Sequence, residues 1–197
     1  MRTTKIIAIV IFFSISNLLL SQAKSNLEII HSLIENNVSQ LLIKLPHEVS
    51  PFQFEYLSPD EYESLENRYI YHLSPKGLLT NDSSAAKVKF SLDEISISYS
   101  EPFRNGLLGD FKIERNVKLN GTFNFGDKDK IYHSDMIESV YSDTLFYSDL
   151  DLVEAQTLAI THGTKPDEPL FESLLEPVIA VGAVIVTIIL LFTVRSK

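Results

Sequence analysis

The sequence predicts an α+β fold: an N-terminal amphipathic helix, a short strand and a second helix packed on an antiparallel sheet, plus one C-terminal transmembrane helix. Three observations carry this reading. Behind Ser25, apolar residues recur at three- and four-residue steps. Between Phe111 and Phe125 they alternate with polar residues at a period of two. From Val178 to Val194 the chain holds no charged residue, and Arg195 and Lys197 close it.

The first segment precedes that domain. Arg2 and Lys5 stand before an apolar run, Ile6 to Leu20, broken only by Ser14, Ser16 and Asn17, and Ser21-Gln22-Ala23 places small residues where a signal peptidase cuts. This is the grammar of a secretory leader over residues 1–23. As a helix the run reaches roughly 22 Å, at about 1.5 Å per residue, against about 30 Å of bilayer core, which suits a cleaved leader better than a span.

Ser25-Asn26-Leu27-Glu28 has the spacing of a capping box, and Ile30, Leu33, Ile34, Val38, Leu41, Leu42 and Leu45 form one apolar helical face that Pro46 ends. Phe52, Phe54 and Tyr56 alternate with polar residues, so 52–57 reads as a short strand. Ser58-Pro59-Asp60-Glu61 combines a capping serine, proline at the first helical position and acids in the first turn, and predicts a helix to about Leu73. Residues 74–85 read as a loop. Val88, Phe90 and Leu92 alternate, Asp93-Glu94 shifts the phase, and Ile95, Ile97 and Tyr99 alternate again, which predicts a bulged strand. Phe111, Ile113, Val117, Leu119, Phe123 and Phe125 all fall on odd positions, with Gly121 as a bend. Residues 126–130 read as a turn, 131–141 and 144–147 as two further strands of a meander, and 150–160 lean towards helix.

The domain boundaries follow: a leader at 1–23, an exported acidic domain at 24–166, a juxtamembrane segment at 167–177, a span at 178–194 and a cytoplasmic tip at 195–197. The span holds seventeen residues, the short end of the usual range of about 17–25. Its basic tip and the acids before it, Glu168, Glu172 and Glu176, point the C-terminus to the cytoplasm. The expected location is therefore a membrane, with the N-terminal domain outside the cytoplasm; in a bacterium, the inner membrane and periplasm.

The stretch from Lys24 to Pro177 holds thirteen basic and all 26 acidic residues, a net charge of −13. Such a surface repels nucleic acid. The chain has no cysteine, which excludes disulfides, thiolate catalysis, cysteine metal sites and a lipid-bearing thiol.

The search for chemistry yields no catalytic, cofactor-binding or metal-binding residues. His31, His47, His72, His133 and His162 lack the spacing of a zinc helix. Tyr132-His133-Ser134-Asp135 places Ser, His and Asp together, but successive strand residues point to opposite faces. Asp60, Glu61, Glu63 and Glu66, and Asp127 with Asp129, lack the convergent oxygens of a calcium loop. Gly106 and Gly109 form no phosphate cradle. Asn37, Asn81 and Asn120 fit the glycosylation acceptor pattern. Ala183 and Thr187 form a small-residue pair compatible with copies pairing through the span. The sequence thus predicts no enzyme and no cofactor, but a membrane-anchored protein whose exported domain is an interaction or assembly module for a protein partner. A ligand-binding or sensing domain is the alternative, and a hydrolase a distant third.

Overall fold

Helix α1 (Asn26–Lys44) begins at the predicted capping box: the Ser25 backbone N–H donates to Glu28 Oε2 at 2.8 Å, and Glu28 N–H donates to Ser25 Oγ at 3.2 Å. A computed structural model describes residues 23–46, 51–82, 85–106, 109–127 and 130–194. After α1 come strand β1 (Gln53–Leu57), a 3-10 helix (Asp60–Leu65), α2 (Glu66–Leu73), the long strands β2 (Lys87–Tyr99), β3 (Lys112–Asp127) and β4 (Lys130–Phe146), a single turn α3 (Leu150–Val153) and α4 (Leu170–Val194). The predicted leader, except Ala23, and the tip at 195–197 lie outside the described residues.

The strands form one sheet in the order β1-β2-β3-β4. β2, β3 and β4 make the predicted antiparallel meander, but β1 pairs parallel to β2, Gln53 opposite Lys87, so the sheet is mixed and not antiparallel. The chain between them crosses over through α2, and a crossover returns a strand in the same direction, where a hairpin would reverse it.

The phase shift at Asp93-Glu94 is a bulge. The register with β3 slips between Leu92 and Glu94, which lets Leu92 and Ile97 face the same side. Gly121 lies inside β3, opposite Leu92 at the β2 bulge, and a Cβ there would meet the Phe90 ring and, at 2.8 Å, the Ser91 carbonyl oxygen. The glycine makes room for the Phe90 ring.

The core lies between one face of the sheet and the two helices α1 and α2. Ile30, Ile34 and Leu41 of α1 and Tyr69 and Leu73 of α2 pack on Phe90, Leu92, Val117, Leu119 and Phe123, all with no exposed surface. Burial of one such side chain contributes about 1.5–3 kcal/mol. A smaller cluster, Ile113, Leu145, Leu150 and Val153, closes one end of the sheet.

Other expectations are corrected. The helix predicted from Ser58 divides into a 3-10 segment and an α-helix of eight residues, and no side chain caps its start. The two strands predicted between 131 and 147 are one, because β4 stays paired to β3 throughout. Residues 150–160 are α-helical only from Leu150 to Val153, and a 3-10 turn, Ala159–Thr161, begins at their end.

The predicted transmembrane helix is not supported. Among the described residues, no helix is long and apolar enough to cross a membrane. The fold class among the described residues is an α+β domain with a four-stranded mixed sheet and four α-helices. The anchor, and the orientation argued from its flanks, drop out of it.

Candidate functional site

Alternation along β3 sends odd-numbered residues into the core, and Arg115 is one of them. It has no exposed surface. An unpaired buried guanidinium would cost several kcal/mol, and four short hydrogen bonds offset that. Arg115 Nε donates to Asp143 Oδ1 at 2.9 Å and Nη2 to Asp143 Oδ2 at 2.6 Å, a bidentate pair across β3 and β4. Nη1 donates to the Lys24 carbonyl and to Asn26 Oδ1, both at 2.8 Å.

Asn26 extends the network. Its Nδ2 donates to the Tyr99 hydroxyl at 2.8 Å and to the Thr161 carbonyl at 2.7 Å. The Tyr99 hydroxyl donates to Glu154 Oε1 at 3.1 Å, which also accepts from Gly163 N–H at 3.0 Å. Lys165 pairs with Glu154 at 3.3 Å and with Asp151 at 2.5 Å. Burial, with the Glu154 carboxylate adding to it, pushes the Tyr99 phenol up to about 12. The network therefore ties together the start of α1, the ends of β2, β3 and β4, and the segment 154–165. Its charges are paired with one another and Arg115 has no exposed surface, so the network acts as a brace, although Asp143 also lines a groove beside it.

Beside the brace lies an open groove of about 720 Å³, lined by Ala23, Lys24, Tyr141, Phe146, Asp149 and Leu152. It adjoins the outer edge of β4, the last strand of the sheet. Tyr147 N–H bonds to the Phe111 carbonyl and Ser100 N–H to the Glu114 carbonyl, so odd residues of β3 bond towards β4. Even residues of β4 then turn their N–H and C=O outwards. Two of those carbonyls are covered by α1: Lys44 Nζ donates to Met136 O at 2.9 Å and Gln40 Nε2 to Glu138 O at 3.1 Å. Among the described residues, nothing pairs with the outward backbone of Val140, Ser142 and Thr144.

The residues singled out in the sequence are scattered. His133 is exposed on β4, its ring centroid 5.7 Å from that of Phe123, and Asp135 binds Lys44 at 2.5 Å, which holds its carboxyl below the usual range. His31 and His72 approach one another between α1 and α2. His162 has a ring nitrogen 2.9 Å from the Ala155 carbonyl, and His47 lies outside the described residues. Among the described residues no three His, Asp or Glu converge as metal ligands; Asp129 lies outside them. Asn37 is buried and its Oδ1 accepts from Ser139 Oγ, so this acceptor pattern is inaccessible in the folded domain. Sequence reading passed over Asn26, Arg115, Glu154 and the β4 edge. Arg115 had a signal: a lone charge at an odd position between Ile113 and Val117.

No family model and no curated protein matches the sequence. Solved structures with partial likeness include rare lipoprotein B from Shewanella oneidensis, at 15% identity over 48% of this chain and 68% of that one, with a TM-score of 0.34. A minor lipoprotein from Acinetobacter baumannii matches at 21% identity over 57% of this chain and 82% of that one, with a TM-score of 0.34. A neuraminyllactose-binding hemagglutinin homolog from Helicobacter pylori matches at 11% identity over 53% of this chain and 70% of that one, with a TM-score of 0.35.

Proposed function

We propose that this chain is an extracytoplasmic, envelope-associated protein-interaction module, not an enzyme. The observation that carries the reading is the one-sided sheet. Both α1 and α2 lie on the core face. The other face presents Ser91, Ser96, Asn116, Thr122, Asn124 and Thr144 interleaved with the charged Lys89, Glu114, Lys118 and Glu138, with no helix over it among the described residues. Hydroxyls, amides and charges together can hydrogen-bond a polar protein partner. The leader grammar of residues 1–23 supports export, and the acidic surface argues for a protein partner and against nucleic acid.

The test is capture of the tagged full chain from native envelopes in mild detergent, compared with a Ser96→Arg/Asn124→Arg variant that blocks the open face. A stoichiometric partner held by the wild type and lost by the variant supports the reading. A partner set unchanged by the variant, or none at all, overturns it.

A further inference from the structure

We infer that the Ala23–Lys24 bond is a processing site that folding closes: a peptidase takes it before Arg115 binds the Lys24 carbonyl, and a chain that folds first keeps its leader. This rests on the export reading above, in which residues 1–23 are removed, and adds the order of events.

The brace begins at the first residue the cut would free. The Lys24 carbonyl accepts from Arg115 Nη1 at 2.8 Å, and Asp143 holds the same guanidinium through Nε and Nη2. Ser25 is fixed next: its N–H and its Oγ donate to Glu28 Oε2 at 2.8 and 3.1 Å. Asn26 follows with no exposed surface, bound to Arg115, Tyr99 and the Thr161 carbonyl. On the other side of the bond, Ala23 is half-buried against the small cluster of Ile113, Leu145, Leu150 and Val153. Of residues 23–26, Lys24 alone is exposed.

A peptidase cleft takes its substrate as an extended strand, with backbone hydrogen bonds along it and pockets for alternate side chains. Ala23 would have to leave the small cluster to fill the pocket that reads a small residue before the cut. The backbone after the cut would have to leave Arg115 and undo the cap of α1 within two residues. Hydrolysis adds water across the bond, hydroxyl to the Ala23 carbonyl carbon and hydrogen to the Lys24 nitrogen. It leaves a carboxylate on the leader and an ammonium on Lys24. That step spares the Lys24 carbonyl, so the brace closes on the cut and the uncut chain alike. Folding therefore does not depend on the peptidase, and the two compete for the same segment. Once the brace is shut, cutting is limited to the small fraction of chains in which the segment is open.

Cell-free synthesis of the full chain in mild detergent tests the order, with a purified membrane-type leader peptidase added either during synthesis or after the chain has folded. Mass spectrometry reads the N-terminus. Peptidase present during synthesis should leave most chains starting at Lys24. Added afterwards, it should cut more slowly by about tenfold or more, because only the open fraction is a substrate. A second chain carries a short Gly-Ser linker inserted between Ala23 and Lys24. The linker leaves the Lys24 carbonyl on Arg115 and moves the bond after Ala23 out of the brace. This chain should be cut as fast after folding as during synthesis, and should melt at the temperature of the uncut wild type. Equal cutting of the wild type in both arms, or a linker chain that resists once folded, would each overturn the inference. A wild type cut in neither arm, beside a control leader that is cut, would instead overturn the leader reading and take the inference with it.

Discussion

Arg115 and Asp143 face each other across β3 and β4 in a bidentate pair, 2.6 and 2.9 Å, with the guanidinium fully buried. Removing the carboxylate strands a buried positive charge. Asp143→Ala should therefore cost about 3 kcal/mol in urea unfolding, whereas the double variant Arg115→Met/Asp143→Leu should recover most of the loss. A single variant as stable as the wild type would show that water reaches Arg115.

The Asp93 bulge is one extra residue in β2 against β3. Deleting Asp93 removes only that residue, so Glu94 stays opposite Asn120 and Ile95, Ile97 and Tyr99 stay on the core face, and cooperative unfolding should persist. Deleting Ser96 from the regular ladder should instead turn Ile97 and Tyr99 to solvent and abolish cooperative unfolding, read by near-ultraviolet circular dichroism. Deleting Ala85 in the preceding loop is the matched control and should be mild.

Gly121 carries a steric constraint. In Gly121→Ala the new Cβ meets the Ser91 backbone oxygen, which cannot swing away, and the Phe90 ring. A loss of about 1–3 kcal/mol is expected. Adding Phe90→Leu should relieve only the part due to the ring, and a double-mutant cycle measures how much.

Acid should loosen the α1–α2 contact. Burial, with Arg68 and His72 nearby, lowers the His31 pKa below its ordinary 6.5. The unfolded chain therefore takes up this proton first. The stability from neutral His31 is fully present above about pH 6.5 and is lost as pH falls from there through the lower folded value. His31→Gln should flatten the stability curve in that window. Asp135, whose pKa is lowered by its bond to Lys44, acts lower. Its contribution is present above its ordinary 3.8 and lost as pH falls through the folded value, so Asp135→Asn should change the curve only there.

The sequence by itself determined what short-range geometry decides. Ser25 and Glu28 sit three residues apart, so the cap of α1 forms from its own turn. Period-two alternation set the buried face of β3, and the phase slip at Asp93 announced its bulge, because a strand residue's face depends only on counting. An odd-position arginine was equally visible, but its tolerance depended on Asp143, a strand away and unreadable until the register was known. Only the tertiary structure decided that β1 runs parallel to β2, since that depends on where the α2 crossover packs. It also decided that Gly121 makes room for Phe90, and that α1 covers the β4 edge at Met136 and Glu138 but not at Val140, Ser142 and Thr144. Each of these joins residues tens of positions apart, and their meeting is set by the packing of whole elements on a shared core.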